Sequence, residues 1–268
     1  MSSTDDLIPV LKKLRLSGVL HTLELRNRQA VEDGLAFEEF LYRVLHDEVE
    51  RRDQKQLEMR LRRAQFDHAK TIEDFDFSFN PQVPKSRVID LATASFVARK
   101  ENVLLVGPSG VGKSHLAQAI GHRACRVGHT SLYLTANKLF SELRAARADR
   151  SYDRRMQRIA GAELLIVDDL GLRGLRDEEP EDLYEVIRQR YEHGATMITS
   201  NRAIDEWYPL FGDELLASAA MDRLLHHSHL IVIEGDSYRN PPPHRGGGAG
   251  RPSAAAPPSG SSPAQATA

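Results

Sequence analysis

Gly107-Pro108-Ser109-Gly110-Val111-Gly112-Lys113-Ser114 is the run whose residue types and spacing point most directly to chemistry. It fits G-x-x-x-x-G-K-[ST], a pattern meaningful only between a strand and a helix. Both neighbours are legible, since the apolar run Asn102–Val106 precedes it and the helical stretch His115–Cys125 follows. Glycines let such a loop turn tightly, so that its N–H groups face phosphate oxygens. The positive end of the next helix, opened by His115, adds to that field. Lys113 is placed to reach β- and γ-phosphates, and Ser114 to ligate Mg²⁺.

Two further runs supply groups that such a site needs. Leu164-Leu165-Ile166-Val167 is a buried-strand pattern ending in Asp168-Asp169. A strand delivers its terminal carboxylates to the carboxyl edge of a sheet, where a phosphate loop also lies. Asp168 is expected to hold Mg²⁺, directly or through water, and Asp169 to orient or deprotonate an attacking water. Met197-Ile198-Thr199-Ser200 ends a third apolar strand at Asn201, placed to hydrogen-bond that water or the γ-phosphate. The adjacent Arg202 is given no catalytic role.

The elements that must position these groups follow from hydrophobic pattern. Ser131–Thr135 and His229–Ile233 join the three runs above, making five short apolar strands separated by helical stretches. That order predicts an α/β fold with a five-stranded parallel sheet covered on both faces. Residues 5 to about 70 read as helical, with Gly18 and Gly34 as breaks between helices. From Arg51 to Lys70 that region carries seven basic residues against three acids, which suits a solvated face or a contact with DNA or protein. The last 29 residues hold seven prolines and almost nothing to bury, so disorder is expected there, with Arg245 and Arg251 offering at most a weak tether to nucleic acid.

Composition bounds the rest. The chain has 268 residues, 36 Lys plus Arg against 38 Asp plus Glu, and a formal charge of −2, which excludes a wholesale basic coat for nucleic acid. One cysteine, Cys125, cannot form an internal disulfide and reads as a small packed residue. No secretory signal and no apolar run of about 20 residues is visible, so the expectation is a soluble cytoplasmic protein without membrane contact. His226, His227 and His229 straddle a helix end and a strand start without a converging acid or thiol, and suggest no metal site.

On these motifs the sequence resembles the AAA+ ATPases, in the branch holding bacterial helicase loaders and IstB-like transposition helper ATPases. The resemblance is carried by Gly107–Ser114, by Leu164–Gly171 with its Asp-Asp-Leu-Gly ending, and by Thr199-Ser200-Asn201. Met221-Asp222-Arg223-Leu224 and Gly235-Asp236-Ser237-Tyr238-Arg239 add to it. Leu14–Gly18, Leu35–Phe40, the charged helix from Glu50 to Arg63, Phe75-Asp76-Phe77, Glu101–Leu105 and Ala203–Gly212 around Trp207 resemble the IstB-like side. The resemblance implies a P-loop AAA+ core at 75–239, a helical N-terminal domain at 1–74 and a tail at 240–268. It implies ATP as the nucleotide, assembly into a multimer with ATP at subunit interfaces, and Arg223 as an arginine that reaches a neighbour's γ-phosphate. It further implies a cognate transposase as partner. After Ile233 the sequence departs from the long helical lid of many AAA+ proteins, so no lid-borne sensor arginine is expected there.

Six arginines before the second motif, Arg144, Arg147, Arg150, Arg154, Arg155 and Arg158, recur in steps of three and four. That spacing predicts one helix face able to track the phosphates of duplex DNA without reading sequence. Three functions fit: a DNA-binding helper ATPase of insertion-sequence transposition, a loader that places a helicase on DNA in replication, and a nucleotide switch that does not hydrolyse.

Overall fold

The structure is a computed structural model and describes residues 3–67, 70–235 and 237–238. The proline-rich stretch at 240–268, together with Asp236 and Arg239, lies outside the described residues.

Three helices come first: α1 (Ser3–Lys13), α2 (Ser17–Asp33) and α3 (Phe37–Ala64). Gly34 ends α2 in a left-handed conformation (φ 63°) that glycine adopts without penalty. Gly18 does not act as a break. It sits in the first turn of α2, where its N–H donates to the Glu48 carboxylate of α3 at 2.5 Å. A β-carbon there would stand 2.8 Å from the Glu48 Cα, so this glycine serves close helix contact, and the chain turns instead at Arg15 (φ 57°). Arg26 of α2 grips Asp47 of α3 through two hydrogen bonds of 2.9 and 2.7 Å. That pairing is the main cause holding the Asp47 carboxyl at about 2, well below the usual carboxylate range. The depressed value means the pair stabilises the hairpin above about pH 4 and loses that contribution as pH falls toward 2. The melting-temperature gap between the wild type and Arg26→Ala should therefore close on acidification across that window. A gap independent of pH would show that the ion pair contributes nothing.

The core begins with α4 (Lys85–Ala92) and a single turn, α5 (Ser95–Ala98). Then follow β1 (Asn102–Val106), α6 (Lys113–Val127), β2 (Ser131–Thr135), α7 (Ala136–Ala148), α8 (Tyr152–Ala160) and β3 (Leu164–Leu170). The chain continues with α9 (Glu179–Arg190), β4 (Ala195–Ser200), a 3₁₀ segment at Ile204–Leu210, α10 (Glu214–Leu225) and β5 (Ser228–Val232). All pairings are parallel, in the order β2-β3-β4-β1-β5.

Alternation along the strands divides the core into two layers. Leu104, Val106, Leu165, Val167 and Ile198 face α7 to α10, whereas Val103, Leu105, Ile166 and Met197 face α4 to α6. Burial on both faces explains why these strands read as continuous apolar runs. The C-terminal end of α3 rests on this second layer. Arg60 donates to the Gly128 carbonyl, and the Phe66 ring packs 6.2 Å from those of His122 and Tyr133. Among the described residues, no helix is long and apolar enough to cross a membrane.

Candidate nucleotide site

The order β3-β4-β1 brings the three sequence motifs to one sheet edge. The phosphate loop leaves β1, Asp168 and Asp169 end β3, and Asn201 follows β4, which lies between them. The loop is pinned on both sides. Gly107 N–H donates to the Ser200 carbonyl of β4, and Ile233 N–H beyond β5 donates to the Val106 carbonyl. Val111 anchors the loop in the core, fully buried.

Gly110 (φ 86°) and Gly112 (φ 98°) adopt conformations that only glycine takes readily, curling the loop into a concavity suited to an anion. At Gly112 a β-carbon would also lie 2.6 Å from the Phe75 ring. Gly112→Ala should therefore weaken nucleotide binding sharply, read by equilibrium titration, and wild-type affinity would show that the curled loop is not needed. Lys113 Nζ donates to the Gly107 and Pro108 carbonyls, both at 2.7 Å, which holds its ammonium over the loop.

A cavity of about 490 Å³ opens beside the loop. Ser109, Gly110, Gly112, Lys113, Ser114 and His115 line one side, and Asp169 and Asn201 another. Phe75, Phe79 and Tyr238 complete it as an aromatic wall. The Tyr238 ring stacks on Phe79 with centroids 4.0 Å apart, its hydroxyl donates to the Asp76 carbonyl, and its N–H donates to the Gly110 carbonyl at 3.0 Å. His115 Nε2 is 3.0 Å from the Thr71 carbonyl. The polar loop with an apolar platform beside it suits a phosphorylated ligand carrying a flat base. The aromatic wall is not among the site residues expected from sequence, and its local signals are the cluster Phe75-Asp76-Phe77-Ser78-Phe79 and the run Gly235–Arg239.

The two carboxylates differ. Asp168 is buried, accepting from the Tyr133 hydroxyl at 2.6 Å and from the Thr199 hydroxyl. Burial first, then that bond to Asp168, pushes the Tyr133 hydroxyl's pKa up, which keeps it protonated and donating. Asp169 is exposed to the cavity at φ 59°, and its N–H donates to Thr199 Oγ1 at 2.9 Å. Arg202, given no chemical role, reaches the Gly171 carbonyl at 2.5 Å and ties the chain after β3 to the end of β4.

Arg223 does not join this cavity. It lies on α10, donates to the Ala219 carbonyl at 2.7 Å, and lines a small cleft with Asn102 and Thr196 at the opposite, N-terminal edge of the sheet. The arginine stripe departs from the single helix face expected of it. Asp149 accepts from both the Ser151 N–H and hydroxyl, and the turn it forms, with Arg150 at φ 61°, separates α7 from α8. Arg147 forms a two-point pair with Asp182, Arg144 meets Glu179, and Arg155 and Arg158 approach Glu142 at 3.3 and 3.9 Å. Exposed Arg150 and Arg154 form no ion pair among the described residues. Nor do three or more His, Cys, Asp or Glu side chains gather into a metal-binding group among the described residues.

Residues 9–243 match the family of the IstB-like ATP binding protein. The chain belongs to the IstB-like ATP-binding family. An insertion-sequence IS21 ATP-binding protein of Pseudomonas aeruginosa is 38% identical over 230 residues, covering 86% of this chain and 87% of that protein. An insertion-sequence ATP-binding protein of Mycobacterium tuberculosis is 40% identical over 230 residues, covering 85% and 92%. In structure, this IstB-like chain is similar to DnaI (TM-score 0.53, 24% identity, 62% of this chain and 91% of that one). It is also similar to AMPPCP-bound DnaA from Aquifex aeolicus (TM-score 0.52, 20% identity, 62% and 50%). These likenesses show the fold of the AAA+ P-loop ATPases.

Proposed function

We propose that this IstB-like protein is a helper ATPase of insertion-sequence transposition, hydrolysing ATP as a multimer on duplex DNA to regulate a transposase. The observation that carries the hydrolytic part is the convergence of Lys113, Ser114, Asp169 and Asn201 on one cavity, with Asp168 behind it at the same sheet edge. Relatives 31–40% identical are named for insertion sequences, which favours transposition over helicase loading, since the structural likeness to DnaI speaks for fold alone.

The residues present fit a magnesium nucleotide: an amide-lined loop with a lysine for phosphates, and a hydroxyl and a buried carboxylate for the cation. Mg²⁺, held by Ser114 and Asp168, would neutralise charge on the β- and γ-phosphates. Loop amides and Lys113 bind and orient those phosphates, while Phe75, Phe79 and Tyr238 offer the base an apolar wall. Asp169 accepts a proton from the attacking water, and the Asn201 amide orients that water. Arg223 serves the γ-phosphate of a neighbouring subunit.

For DNA, the charge pairing leaves Arg150 and Arg154 as the arginines best able to meet phosphates. Steady-state hydrolysis with and without duplex DNA at two salt concentrations tests the whole reading. Stimulation that fades with salt is expected, and a rate indifferent to DNA would move the coupling to a protein partner. Arg150→Glu with Arg154→Glu should weaken DNA binding and flatten its dependence on log salt by about 0.9 for each phosphate no longer neutralised. An unchanged slope would remove both arginines from the interface.

A further inference from the structure

Asp168 and Asp169 are neighbours on one strand, yet both are read as serving one site. In a regular strand, successive side chains point to opposite faces. Here the pairing of β3 with β4 shifts register between Val167 and Leu170, and Asp169 takes its left-handed conformation inside that irregularity. A bulge of this kind re-aims a side chain, and a non-glycine residue held there needs support from its surroundings.

One side chain supports both acids. Thr199, wholly buried on β4, accepts from the Asp169 N–H and donates to the Asp168 carboxylate. A hydroxyl has one proton to give, so accepting from the amide directs that proton to the carboxylate. Tyr133, buried on β2, donates to the other oxygen of Asp168 from the opposite side. The acid between them is thus fixed by one hydroxyl from each flanking strand, with lone-pair capacity left on each oxygen. A buried carboxylate needs such donors, but two flanking strands converging on it do more than satisfy it, because they also fix where it points.

We propose that Thr199 and Tyr133 are positioning residues that hold the Asp168 carboxylate ready for a divalent cation, and that Thr199 links its placement to the bulge that turns Asp169 toward the cavity. The inference rests on the nucleotide-hydrolysis reading for its kinetic consequence, but its binding consequence stands without turnover. Outer partners of metal ligands typically change metal affinity or activity by about 10–100-fold when removed.

Three variants test this: Thr199→Val keeps shape and removes the hydroxyl, Thr199→Ser restores it, and Tyr133→Phe keeps the ring that packs on Phe66. Binding of a fluorescent ATP analogue is measured in EDTA and then across a Mg²⁺ titration, beside kcat, KM and thermal melting. Thr199→Val should raise the half-maximal Mg²⁺ concentration about 10–100-fold and lower kcat on the same scale. Affinity in EDTA and KM should hardly move, and Thr199→Ser should return toward wild type. Tyr133→Phe should shift the Mg²⁺ response in the same direction. A wild-type Mg²⁺ response in Thr199→Val and Tyr133→Phe overturns the proposal, as does an equal loss of affinity with and without Mg²⁺. Should Thr199→Val melt below the assay temperature, Tyr133→Phe decides alone, since its packing is preserved. A wild type that binds Mg²⁺ and nucleotide without turnover would refute hydrolysis, and the Mg²⁺ titration would still judge the two hydroxyls.

Discussion

Asp169→Asn should reduce ATP turnover by about 10²–10⁴ while leaving ATP affinity close to wild type. The amide keeps the size and shape of the carboxylate but cannot take a proton from water. Binding is expected to survive because the loop, Lys113 and the aromatic wall hold the nucleotide elsewhere in the cavity. The bond from the residue 169 N–H to Thr199 should survive too, since it is made by the backbone. Asn also tolerates a positive φ better than most residues. Equilibrium binding and single-turnover hydrolysis separate the two effects. An unaffected rate would show that another group activates water. A lost rate accompanied by lost binding would instead make Asp169 a ligand-binding residue.

The strands, the phosphate loop and the acidic pair were legible in the sequence because each obeys a local rule. A strand buried on both faces is a short apolar run, and a phosphate loop needs glycines and a lysine at fixed spacing. Gly18 misled for the same local reason, as glycine marks both chain breaks and close helix contact, and only the Glu48 carboxylate thirty residues on distinguishes them. The arginine stripe kept its spacing, yet Asp149 and Ser151 form a turn within it, and acids on α7 and α9 take up four of the six charges. The aromatic wall joins Phe79 to Tyr238 across 159 positions, and the Tyr133–Asp168–Thr199 constellation joins three strand ends. Neither pairing can be read from a period or a single motif. Each exists only once sheet order and register are fixed.

Arg223→Ala should lower turnover by up to about 10³–10⁵, the range seen when phosphate-loop enzymes lose such an arginine. The position of Arg223 makes the direction of this effect testable, because it lies at the sheet edge opposite its own chain's loop. An arginine there acts on a nucleotide only if that nucleotide belongs to another subunit. Mixing then gives a result that no single variant can. Lys113→Ala carries a crippled phosphate loop but an intact Arg223, and Arg223→Ala carries the converse. Each alone should be nearly inactive, whereas mixed assemblies contain interfaces in which an intact loop meets an intact arginine, so activity should reappear and pass through a maximum with mixing ratio. Recovery has to come from assembly, since neither chain holds both groups. If Arg223→Ala is inactive and mixing restores nothing, the arginine acts within its own chain, through its packing on Tyr184 and its bond to the Ala219 carbonyl. If Arg223→Ala is fully active alone, it has no part in hydrolysis, and ATP need not lie at an interface. Sedimentation of the mixtures with and without nucleotide tells loss of catalysis from loss of assembly, because a finger that only stabilises transition-state charge leaves the multimer intact.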